Sequence, residues 1–158
     1  MRNLKTALLL VIFVGAIFAA DNDNLTVTYE VQAINELTAG DDVTLTVSSA
    51  TAGYSPTAAT DESSYNITTN CAADSKKITA VIDTDMPAGL TLRLTATAPE
   101  GGSSTGTKTI TTSAANIVTS IDGVAESGIN LHFSLMATVE AGVVSSASKT
   151  LTLTIADV

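Results

Sequence analysis

Few side chains in this sequence could do chemistry. There is one histidine, His132, and one cysteine, Cys71. Hydrolytic and transfer reactions need titratable groups gathered in a pocket, with a nucleophile, a base and an orienting partner. Neither residue has such company in the sequence. There is no G-x-S-x-G, no H-E-x-x-H, no glycine-rich phosphate loop and no paired cysteine ligands. Acidic pairs stand at Asp41-Asp42, at Asp61-Glu62 and at Asp83 with Asp85. Each sits in or beside a turn, where a carboxylate accepts from backbone N–H groups, and none has the spaced oxygen ligands of an EF-hand loop. The expectation is therefore a protein that is not an enzyme, with no cofactor and no metal. A single cysteine makes no intrachain disulfide. Cys71 is expected to be a small buried hydrophobe, with pairing between chains as the alternative.

The elements around these residues explain their isolation. Arg2 and Lys5 precede an apolar run over residues 7–18, followed by Ala19 and Ala20. This pattern is expected to be a secretory signal over residues 1–20, too short for a comfortable membrane span. Cleavage after Ala19 is favoured over cleavage after Ala20. A retained pilin-type helix is the rival reading, but the run gives way at once to Asp-Asn-Asp-Asn. Beyond residue 20 stand five basic residues against sixteen acidic ones, a net charge of −11. No cationic patch for nucleic acid or an anionic membrane can be built from five scattered bases.

The remaining 138 residues suit one domain, rich in Thr, Val, Ala, Leu, Ile and Ser. β-Branched residues fit a pleated surface better than a helix. Runs of period two predict strands over residues 24–34, 42–49, 65–70, 77–83, 90–98, 107–112, 116–121, 129–139 and 149–156. Between them lie "TAGDD", "TAGYSPTAATDES", "TDMPAG", "PEGGSSTG", "DGVAESG" and "EAGVVSSAS", which read as turns. Most strands carry one apolar and one hydroxyl face. Leu90, Leu92 and Leu94 oppose Thr91, Arg93 and Thr95; Leu131, Phe133 and Leu135 oppose His132 and Ser134, which places His132 on the surface. The expected fold is an all-β, Ig-like antiparallel sandwich around a single core.

The stretch "DNDNLTVTYEVQA" opens the exported chain. Leu25, Val27, Tyr29, Val31 and Ala33 point one way; Thr26, Thr28, Glu30 and Gln32 point the other. Burying the four larger teeth of this comb is worth about 6–12 kcal/mol, and left exposed such a strand invites aggregation. The parity breaks at Ala33-Ile34, and "NELTAGDD" reads as a connector. The comb over residues 21–34 is thus separable from a sandwich over residues 35–158. The signal, the polar leader, this alternating strand, the Thr-rich sandwich and the late stretch "SLMATVEAGVVSSASKTLTLTI" together resemble pilins that polymerise by donor-strand exchange. The resemblance is to chaperone–usher subunits of the spore-coat-protein-U-like branch, or to other prokaryotic fibre and thread subunits. Pilins of that branch usually carry a disulfide, which one cysteine cannot make.

The resemblance implies an extracellular or cell-surface filament, a homopolymer in which Leu25, Val27, Tyr29, Val31 and Ala33 fill the groove of the next copy. It further implies a periplasmic chaperone and usher as partners. Sequons at Asn24 and Asn66, and the many outward hydroxyls, are candidates for attached glycans. The alternative function is a secreted monomeric adhesion or binding module whose first strand lies at the edge of its own sheet.

Overall fold

The computed structural model describes residues 22–71 and 75–158. The expected signal peptide lies outside the described residues. Among them no helix is long and apolar enough to cross a membrane. The chain divides into two units, Met1–Val31 and Gln32–Val158. In the first, residues 22–31 form neither helix nor strand, and Leu25, Val27, Tyr29 and Val31 are 72–90 % exposed.

The second unit is an antiparallel β-sandwich. Its strands are β1 (Asn35–Ala39), β2 (Ala59–Thr69), β3 (Lys76–Ile82), β4 (Leu90–Ala96), β5 (Ser103–Ser104), β6 (Lys108–Thr109), β7 (Ala115–Ile121), β8 (Val124–Ala137) and β9 (Leu151–Asp157). One sheet has the order β1-β2-β8-β4-β6 and the other β5-β7-β3-β9. The alternation read from sequence decides which side chains meet between them. Tyr65 and Ile67 of β2, Leu92 and Leu94 of β4, and Ile129, Leu131 and Phe133 of β8 face Ile78, Ala80 and Ile82 of β3 and Ile117 and Ile121 of β7.

Several boundaries depart from the sequence pattern, each for a reason of pairing. "NELTA", read as a connector, is β1, because β2 offers it a ladder from Asn35↔Thr69 to Ala39↔Tyr65. Its one large apolar residue, Leu37, packs on the core. The polar halves of β2 and β8, read as turns, are strands because each pairs with the apolar half of the other, as in Asp61↔Phe133 and Thr68↔Ala125. That ladder slips between Tyr65 and Ile67, where β8 carries one more residue than β2. Gly128 at φ 69° provides the left-handed turn, and its N–H donates to Asn66 Oδ1 at 2.8 Å. The expected strand over residues 107–112 shrinks to β6 because the chain changes sheets there. Ile110 N–H donates to Leu92 O of one sheet, and Thr111 O accepts from Ile82 N–H of the other. No strand forms over residues 24–34, where the pattern predicts one; alternation alone does not make a strand, whose geometry is held by a ladder of backbone bonds.

Tyr65 is fully buried, and its Oη donates to Thr97 O at 2.7 Å, tying β2 to the chain just after β4. Burial pushes its pKa up, so it remains a donor at all ordinary pH values. Tyr65→Phe is expected to lower unfolding stability by about 1 kcal/mol, seen as a lower urea midpoint at unchanged slope.

Candidate functional site

The two flanks of the sandwich differ. On the flank of β5 and β6 the sheets are stitched together, by the Ile110 and Thr111 bonds and by Ser104 Oγ donating to Ala96 O at 2.6 Å. On the opposite flank stand two sheet edges, β1 and β9. Residues 42–49, predicted as a strand, run here, yet they belong to neither sheet. Their side chains still alternate: Val43, Leu45 and Val47 are half-buried while Thr44, Thr46 and Ser48 are exposed, and Val43 and Leu45 pack on the core. The inward residues of β9, Leu151, Leu153 and Ile155, are likewise only half-buried. An extended segment with strand-like side-chain order and no ladder is a wall without a neighbour.

Beside this segment is a cleft of about 810 Å³. Residues 45–50 form one side, Val144, Ser145, Ser146, Ala147 and Lys149 the other, and Met86, Leu90, Leu135 and Ala137 lie across the floor. Lys149 is the one charged residue among those lining it. The floor is closed at one end by the 3-10 turn Val139–Ala141. Gly89 makes that closure possible: at φ 79° a Cβ there would meet Ala141 N at 2.7 Å, and its carbonyl accepts from Thr138 N–H at 2.8 Å.

Of the acidic pairs, Asp61, Asp83 and Asp85 accept from backbone N–H groups. Asp61 Oδ2 accepts from Thr44 N–H at 2.7 Å and so tethers the unpaired wall to β2. Ser63 Oγ adds a second tie, donating to Asp41 O at 2.6 Å. Asp83 Oδ1 accepts from Thr84 N–H at 2.8 Å and Thr150 N–H at 3.3 Å, fixing the entry to β9. Asp85 Oδ1 takes Thr112 N–H and its hydroxyl. At the far end of β9, Asp157 pairs with Lys76 Nζ, whose hydrogen bond and charge hold that carboxyl below the usual range.

His132 and Cys71 stand in different surroundings, each with its own partner. His132 lies exposed on the outer face, 3.3 Å from Glu62 Oε1 on the neighbouring strand. Cys71 is half-buried rather than buried, with its Sγ 3.7 Å from Asn35 Oδ1. Asn24 and Asn66 are both exposed. Among the comb residues, Ala33 stands between Gln32 and Ile34, both held by Asn70: Asn70 Nδ2 donates to Gln32 O at 2.7 Å and Asn70 Oδ1 accepts from Ile34 N–H at 2.8 Å. The resemblance places its groove beside residues 149–156 or 129–139, and Lys149, Leu135 and Ala137 line the cleft; the share of residues 45–50 in it, and this amide, escape sequence reasoning. The cleft had a signal, an apolar alternation over residues 43–47 with no sequence-adjacent hairpin partner; Asn70 had none.

No protein-family model, no curated protein and no solved structure matches this chain.

Asp61 carries the electrostatic prediction. Accepting from the Thr44 and Glu62 N–H groups lowers its pKa below the ordinary 3.8. A lowered carboxyl pKa stabilises the fold above the unfolded value, and the gain is lost as pH falls through the folded one. Hydrogen exchange at Thr44 N–H, corrected for its intrinsic rate, is expected to stay slow at neutral pH. It should speed up as pH drops below 3.8. Asp61→Ala should give the fast exchange at every pH.

Proposed function

We propose that this protein is the structural subunit of an extracellular filament, in which the N-terminal comb of one copy enters the open flank of the next. The observation that carries the reading is the extended segment at residues 42–48, which joins neither sheet and borders a cleft whose other side is the chain leading into β9. The half-buried apolar residues of this flank, Val43, Leu45, Leu151, Leu153 and Ile155, suit an added strand with apolar residues at every second position.

The comb fits that requirement in length and chemistry. From Leu25 to Val31 it has seven residues, as does the wall from Val43 to Ser49, or about 20 Å of extended chain in each case. Leu25, Val27, Tyr29 and Val31 lose their exposure on insertion, a gain of about 6–12 kcal/mol. Thr26, Thr28 and Glu30 then continue the outward hydroxyl surface formed by Thr150, Thr152 and Thr154. Register is fixed because a slip of one residue turns Glu30 inward. A head-to-tail contact of this kind does not close on itself and grows into a fibre. Secretion through a chaperone and usher, and glycans at Asn24 or Asn66, belong to the same reading; it requires no catalytic group.

Val27→Asp is expected to abolish assembly of the secreted chain, whereas Thr28→Asp should polymerise as the parent does. Denaturant-resistant ladders on gels and fibres by negative-stain microscopy provide the readout. Equal effects of the two substitutions, or a parent chain that remains a cooperatively unfolding monomer, would count against strand insertion. The latter outcome would favour the monomeric adhesion module.

A further inference from the structure

The point where the comb leaves the sandwich is held by one side chain. Strand β1 begins at Asn35, paired with Thr69 of β2, and the next pair outward is Ile34 with Asn70. Here the side chain takes over from the backbone. Asn70 Oδ1 accepts from Ile34 N–H at 2.8 Å, and Asn70 Nδ2 donates to Gln32 O at 2.7 Å. Asn70 N–H donates to Ile34 O at 3.3 Å, so three bonds converge on the stretch from Gln32 to Ile34. An amide carries a donor and an acceptor in one plane and can stand in for a peptide unit of a neighbouring strand. Asn35 Oδ1, accepting from Thr69 Oγ1 at 2.8 Å, braces the same corner.

We propose that Asn70 is a positioning residue that fixes the direction in which the donor strand leaves its own subunit, and thereby the stiffness of the filament. The inference rests on the strand-insertion reading above. If teeth up to Val31 lie in the next copy, then Gln32 to Ile34 are all that joins one sandwich to its neighbour. With those residues free, the joint is a swivel of ordinary flexible chain; with them clamped, two successive sandwiches are set at one angle. Ala33, between the two held residues, remains with its own subunit, so the inserted teeth are Leu25, Val27, Tyr29 and Val31.

The test uses filaments of the full chain carrying Asn70→Ala, compared with the parent by persistence length in negative-stain images. The Ala variant should still polymerise and keep its thermal midpoint, but its persistence length should fall by about twofold or more, as for a joint released to flexible-linker behaviour. Exchange at Ile34 N–H should rise by about tenfold, the loss of one hydrogen bond. If Asn70→Ala fails to fold, Asn70→Asp decides. It keeps an acceptor for Ile34 N–H, offers no donor to Gln32 O, and should also soften the filament. Variant filaments as stiff as the parent's would overturn the clamp and leave strand insertion standing. A parent chain that forms no filament would overturn both.

Discussion

Every edge of a β-sheet presents a row of N–H and C=O groups that must be bonded to something. This constraint organises the molecule. One flank of the sandwich meets it internally, because the chain passes from sheet to sheet at Ile110 and Thr111 and bonds to both. The other flank does not. There β9 ends its sheet without a further neighbour among the described residues, and residues 42–48 keep the side-chain alternation of a strand without its ladder. What holds that wall in place is a set of side-chain substitutes, Asp61 on Thr44 N–H and Ser63 on Asp41 O.

Seen this way, the scarcity of chemistry in the sequence and the form of the fold belong together. Carboxylates that elsewhere would gather in a pocket are spent singly on backbone N–H groups along the open flank and its approaches. Among the described residues no group of His, Cys, Asp and Glu side chains is placed to hold a metal ion. In the proposed filament the acidic surface keeps subunits apart except where the comb's apolar teeth supply the attraction.

The sandwich was legible in the sequence because period-two patterning states directly which face is buried. Leu92 with Leu94, Ile78 with Ile82, and Leu131 with Phe133 all lie in the core as the alternation requires. Patterning failed where strands are polar on both faces: "NELTA", "ATDES" and "VAES" hold no apolar period, and their pairing is dictated by neighbours distant in sequence. It failed in the opposite sense over residues 42–49, which have the period and lack the partner. The alternation over residues 43–47 hints at the cleft, but which residues face it across the gap is a property of topology. Asn70 was invisible for another reason: its role depends on two backbone atoms 36 and 38 positions away.

The geometry of β1 sets how this molecule answers to pulling. The strand lies antiparallel along β2 through paired residues from Asn35↔Thr69 to Ala39↔Tyr65. Tension applied at Gln32 along the strand axis loads those ladder bonds in shear, all at once, so that yielding requires them to fail together. A sideways tug would instead peel them one by one, beginning at the corner. A subunit built in this way is strong in the lengthwise direction and weak across it, an anisotropy written into the order of just two strands.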